Sequence, residues 1–216
     1  MSDELYAVVI ADVVNSSART DIRRRLTAGL DSLSDRHQKQ KLIKLPYAIT
    51  AGDEFQTVAT IPAAIPQIIL DLRTTLQPLS LRIGVGFGSI FDRITPPVNR
   101  LTGPAFQSAR HAIKLLEENV QYKFDVATAF HSPDQHFDQT INLIYGLHDT
   151  LALKTSAKQW ESIGKALRQP DDTLEQTAKS LDVNISTVSR NLKRGYYWQM
   201  LETVKVAEAL IKETFK

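Results

Sequence analysis

The chain has 216 residues, 43% apolar and 23% charged, with 26 Lys/Arg against 24 Asp/Glu and a formal net charge of +2. These are values for a soluble globular protein with room for one large domain, or a medium domain and a small appendage. The chain lacks cysteine, which excludes disulfides, Cys-ligated zinc and a Cys nucleophile, and which fits a reducing cytoplasm. The opening Met1-Ser2-Asp3-Glu4 is acidic where a signal peptide would be basic, so a cytoplasmic location is expected. The longest apolar runs, 6–11 and 61–72, are too short or too broken by Pro62, Pro66 and Gln67 to cross a membrane.

Residues 5–11 form a continuous apolar run that ends in a polar turn, the pattern of a buried strand. Asn15, Ser16 and Ser17 are good N-caps, and an amphipathic helix follows through Ile22, Leu26, Leu30 and Leu33. Segments 42–50 and 55–59 read as strands joined by a tight Gly52-Asp53 turn. Pro62 opens a helix whose stripe is Ile65, Ile68, Ile69, Leu72 and Leu76, ended near Pro78.

Residues 81–87 read as a strand in which Arg82, Gly84, Gly86 and Gly88 alternate with Ile83, Val85 and Phe87; close approach of a helix explains the glycines. Gly103-Pro104 opens a helix towards Glu118, and 124–130 closes the series as a strand. The order strand, helix, hairpin, helix, strand, helix, strand predicts an α+β fold, a ferredoxin-like sheet with covering helices, over residues 1–132. A connecting helix is expected over 133–154 and an all-α domain over 155–216. His37, His131, His136 and His148 have no metal-ligand spacing and are expected at the surface.

The basic excess lies in the tail: residues 154–216 carry 11 Lys/Arg against 8 Asp/Glu, and 186–197 carry no acid. Thr173 with Gln176 forms a capping box for a helix through Leu181, and Asp182-Val183-Asn184 makes a turn into a second helix from Ile185. Ala178 is the small residue at the helix crossing, and Leu181, Val183 and Val188 are the expected apolar lock. The second helix presents Ser186, Thr187, Ser189, Arg190, Lys193 and Arg194. Short hydroxyls at its start suit base edges, and the cations further on suit phosphates. This segment resembles the helix-turn-helix of bacterial regulators and sigma-type modules, with Asp182 where that family usually has Gly. The resemblance implies duplex DNA as partner. The last helix, from Trp198 to Phe215, carries Leu201, Val204, Ala207 and Ile211 on one face, for packing on the motif or for a homodimer.

In the front part, Asp12 ends the first strand and Asp53 sits in the turn Gly52-Asp53-Glu54-Phe55. Paired carboxylates on neighbouring strands suit Mg²⁺, a hard cation that takes few protein oxygens alongside phosphates. The pattern resembles class III nucleotide cyclases and GGDEF diguanylate cyclases, which implies a nucleoside triphosphate ligand and Mg²⁺ held by Asp12 and Asp53. It also implies phosphate contacts from the backbone of Val13, Val14, Asn15, Ser16 and Ser17. Arg82 is in reach of phosphate or of a carboxylate, and Gln107 and Arg110 follow Gly103 where cyclases carry transition-state residues.

The departures are Ala51 for the first Gly of the motif, Ile49 at the adenine-reading Lys position, and Gln107 and His111 at the cyclase Asn and Arg positions. Over its length the chain resembles the SatD family, through 11–16, 52–56 and 103–106. The expectation is a DNA-binding regulator with a divergent, nucleotide-binding cyclase-like domain. The alternative is an active purine nucleotide cyclase, or another phosphoryl-transfer enzyme, whose tail targets or dimerises it.

Overall fold

The computed structural model describes residues 4–14, 21–118 and 123–215. Among them are five strands in one mixed sheet and eight α-helices. The strands are β1 (Tyr6–Val13), β2 (Ala48–Ala51), β3 (Glu54–Val58), β4 (Leu81–Gly88) and β5 (Thr128–His131). The helices are α1 (Ile22–Lys39), α2 (Ile65–Thr75), α3 (Pro104–Glu118), α4 (Gln135–Lys154), α5 (Ala157–Arg168), α6 (Leu174–Ser180), α7 (Ile185–Arg194) and α8 (Tyr197–Thr214). Element order follows the expected series, with β2 and β5 shorter than the apolar runs around them. Among the described residues no helix is long and apolar enough to cross a membrane.

The sheet order is β2-β3-β1-β4-β5, antiparallel throughout except for the parallel pair β4–β5. β1 is central and covered on both faces, which is why its sequence is continuously apolar rather than alternating. Ala7, Val9, Ala11 and Val13 join the core shared with α1 and α2, whereas Val8 and Ile10 join the core under α3. The β4–α3–β5 connection explains the single parallel pair, since parallel neighbours need a crossover.

The glycines of β4 are where the two layers touch. A Cβ on Gly86 would lie 2.1 Å from the Ala109 amide nitrogen and 2.2 Å from the Ala105 carbonyl oxygen of α3. The obstacle is helix backbone, so relief requires α3 to lift from the sheet. Gly86→Ala is expected to destabilise the fold by about 3 kcal/mol or more, at the upper end of overpacking costs; urea denaturation measures it.

Two buried polar networks brace the helices. His37 is fully buried, contrary to the surface position expected for it; its ring nitrogens meet Tyr47 Oη at 2.9 Å and Asp71 Oδ2 at 3.0 Å. The helical stripe of α1 carries His37 inward together with Leu26, Leu30 and Leu33. The second network joins α2, β5 and α4: Arg73 pairs with Asp149 and donates to Thr128 Oγ1 (2.6 Å), and Asp149 Oδ2 accepts the Ala127 amide (2.7 Å). Burial by itself would raise the Asp149 pKa, but Arg73, His148 and the Ala127 amide outweigh it and hold the carboxyl below its usual range.

His148 is also buried rather than at the surface, and burial depresses its pKa despite the neighbouring Asp149. Its folded pKa lies below the unfolded one, so the unfolded chain binds more protons as pH falls below about 6.5. Stability is therefore expected to decline from pH 7 to pH 5. His148→Gln should flatten that slope in denaturation curves taken across this range. His136 is exposed as expected, whereas His131 is half-buried, 4.4 Å between ring centroids from the exposed His111.

α4, the expected connecting helix, also packs as a wall of the main core: Phe137, Ile141 and Tyr145 are buried with Phe87 and Phe130. α8 has two halves. Met200, Leu201 and Val204 pack with Trp160, Val188 and Leu192, while Ala207, Ile211 and Phe215 pack into the α/β core, with Phe215 stacked 4.9 Å from Phe87. The tail helices are thus fastened to the sheet layer by α8, and by Leu70 of α2 within the tail's own cluster.

Candidate functional site

The tail presents the more complete surface. Thr173 and Gln176 make the expected reciprocal cap of α6, with Gln176 amide to Thr173 Oγ1 at 3.2 Å and Thr173 amide to Gln176 Oε1 at 2.7 Å. Asp182 adopts φ 52°, the left-handed turn conformation that a short polar side chain tolerates. The Val183 amide then returns to the Ala178 carbonyl at 3.1 Å, closing the turn. Ala178, Val188 and Leu192 are buried against Trp160, Ile163 and Met200. Val183 takes no part in that lock, being 40% exposed, whereas Leu181 is half-buried and packs against the same cluster; the turn is closed by its backbone hydrogen bonds.

With Val188 and Leu192 inward, residues at i, i+3, i+4 and i+7 from Ser186 must face out, and Ser186, Ser189, Arg190 and Lys193 are exposed. They line an open concavity of about 750 Å³ together with Arg194 and Tyr196. Thr187 is half-buried and does not line it; the Arg190 guanidinium donates to its hydroxyl at 3.4 Å. Five of the six residues named from sequence therefore share one surface. Tyr196 was missed; it sits at φ 61° between α7 and α8, and only the Gly195-Tyr196-Tyr197 break in periodicity signals it.

Chemically this is a helix start bearing hydroxyl donors and acceptors, followed by three cations with no carboxylate on the same segment. Such a surface can hydrogen-bond edges of planar groups and neutralise a polyanion.

The second constellation lies at the C-terminal end of β1. Asp12 Oδ1 accepts from Arg82 Nε (2.9 Å) across the β1–β4 pair, and Arg82 reaches Glu117 of α3 at 3.7 Å. Asp53 Oδ2 accepts the Val13 amide at 3.1 Å, which places the turn Asp beside the residue that follows Asp12. Burial raises the Asp12 pKa most; Arg82 opposes this, while the nearby charges of Asp53 and Glu117 add to it.

Several expected contacts are altered. The amides of Val13 and Val14 donate to Asp53 and to the Ser80 carbonyl (2.8 Å), so a phosphate bound there would have to displace these partners. Asn15, Ser16 and Ser17 lie outside the described residues. Arg82 is paired with the carboxylate rather than free for phosphate. Arg110 is exposed and meets Glu54 at 3.4 Å, and Gln107 is exposed on the same helix face. Sequence reasoning missed Glu117 and the pairing of Glu54 with Arg110, although the spacing Gln107, Arg110, Lys114, Glu117 marks one face of α3.

Among the described residues no group of three or more His, Asp or Glu is arranged to hold a metal ion. Two carboxylates nevertheless match the few protein oxygens Mg²⁺ takes beside phosphates and water.

A family model described as SatD matches residues 6–211. The chain therefore belongs to the SatD family. No curated protein matches it.

Proposed function

We propose that this protein is a DNA-binding regulator that engages duplex DNA through α7. The supporting observation is the single exposed face Ser186, Ser189, Arg190 and Lys193, carried on a helix locked by Ala178, Val188 and Leu192. The capping box of α6, the left-handed Asp182 and the buried Ala178 support reading α6–turn–α7 as a helix-turn-helix. Fluorescence anisotropy with a labelled random-sequence duplex tests it. Salt-dependent binding is expected, with log affinity falling linearly against log salt; binding that is absent at low salt contradicts the proposal.

The front layer then serves as scaffold and sensor. Its strand order β2-β3-β1-β4, antiparallel between neighbours, supports the ferredoxin-like description and with it a divergent cyclase-like domain. A second reading, nucleotide binding, is favoured by Asp53 lying on the Val13 amide, close enough for its charge to act on Asp12. There Asp12 and Asp53 would hold Mg²⁺, which supplies charge neutralisation for phosphates, and Arg82 would be the competing cation. Arg82→Gln is then expected to tighten Mn²⁺ binding by about tenfold, for one lost ion pair of roughly 1–1.5 kcal/mol; Mn²⁺ relaxation titration reads it. Unchanged affinity in this variant, or loss of no affinity in Asp53→Asn, contradicts that reading.

A further inference from the structure

Among the described residues lining the concavity at the end of α7 one is aromatic, Tyr196, set beside Arg190, Lys193 and Arg194. Its backbone has φ 61°, the left-handed conformation that bulky residues avoid and that glycine or asparagine takes readily. Tyr196 is also the N-cap of α8, a position that favours Ser, Thr, Asp, Asn or Gly, and its side chain makes no cap. Two local preferences are broken at one residue.

The glycine of this turn falls one position earlier. A Cβ on Gly195 would lie 2.8 Å from the Asn191 carbonyl oxygen and 2.9 Å from Ile163 Cδ1, so Gly195 lets α7 end close against α5. That packing accounts for Gly195 and leaves the tyrosine at 196 without a structural reason. Its side chain supplies none: Tyr197 packs against the tail cluster, of which Tyr196 is not a member. Among the described residues the Tyr196 hydroxyl has no hydrogen-bond partner, and it is not enclosed. A half-buried ring with an open hydroxyl therefore stands beside three cations, in a lining without a carboxylate among the described residues.

Strained residues persist where function holds them, and the neighbours say which function. Resting on the DNA-binding reading of α7, we infer that Tyr196 is a phosphate-contact residue. Its hydroxyl donates to a backbone phosphate oxygen beside those met by Lys193 and Arg194. Tyrosine hydroxyls at a DNA backbone fix register and orientation without reading sequence. Tyr196 follows the cations at the end of α7, away from Ser186 at its start, so it lies on the phosphate side of the surface. Being neutral, it releases no counterion when it binds.

The test is fluorescence anisotropy of the full chain on two labelled duplexes of unrelated sequence, across a salt series. Tyr196→Phe keeps the ring and removes the donor. It should weaken binding about tenfold on both duplexes, the loss of one hydrogen bond to a charged group, and leave the salt slope unchanged. Tyr196→Asn separates this role from packing: Tm should rise by about 2–4 °C, because asparagine accepts the left-handed backbone that tyrosine resists.

Equal affinity of Tyr196→Phe and the parent overturns the inference. A loss confined to one duplex also overturns it, by making Tyr196 a base contact, and a fall of Tm in Tyr196→Asn does so by assigning the residue to packing. A parent that binds neither duplex at low salt removes the DNA-binding reading itself, and this inference with it.

Discussion

Replacing Arg190 and Lys193 together by alanine is expected to weaken binding to a generic duplex about 100-fold at physiological salt. Each cation stands exposed on α7 beside hydroxyl groups, with no acid between residues 186 and 197 to compensate its loss. A hydrogen bond to a charged group contributes roughly 1.5–3 kcal/mol, so two such contacts amount to about 3 kcal/mol or more. The dependence on salt should shallow as well, by about two units in the slope of log affinity against log salt, because two fewer counterions are released. Neither residue is buried, so thermal unfolding of the double variant should match the parent. A loss of affinity with an unchanged salt slope would mean that these cations do not meet phosphates.

The largest stability effect is expected at Asp149. Its carboxylate is fully buried, pairs with Arg73 and accepts the Ala127 amide at the entry to β5. Asp149→Ala strands the Arg73 charge in an interior where no solvent replaces its partner. Removing one member of a buried pair costs roughly 3–5 kcal/mol, a large share of the net stability of a domain this size. Guanidinium denaturation should show the midpoint falling sharply. The double variant Arg73→Leu with Asp149→Leu should recover part of the loss, since an uncharged pair leaves no isolated charge. A single variant as stable as the parent would show that the network does not brace α2, β5 and α4.

Local periodicity carried much of the architecture. The continuous apolar run of β1, the stripes of α1 and α2, and the alternating glycines of β4 each follow from a face that must be covered, and each is found where its pattern places it. The capping box and turn of the tail were legible for the same reason: Thr173, Gln176, Ala178 and Asp182 act within a few residues of one another.

What escaped was long-range. Nothing near His37 in sequence announces Tyr47 and Asp71 as its partners, and nothing near His148-Asp149 announces Arg73. A histidine without metal spacing therefore reads as surface although it is core. The division of α8 between two clusters is invisible for a related reason: an amphipathic stripe specifies that a face is covered, and leaves open by what. At the sheet end, Asp12 and Asp53 were identified as a pair, but Arg82 as resident counter-ion and the occupied amides of Val13 and Val14 required the β1–β4 register and the turn geometry.

α1 offers a competing basic surface, since Arg23, Arg24 and Arg25 open that helix and are exposed. DNA binding through α7 is therefore tested most directly by mapping where a duplex touches the intact chain. Amide chemical-shift perturbation, followed while an unlabelled duplex is titrated into the ¹⁵N-labelled protein, should concentrate at residues 185–196, with Ser186, Ser189, Arg190 and Lys193 shifting most. Perturbations centred on residues 23–31 of α1, or a spectrum that does not change at low salt, would contradict it.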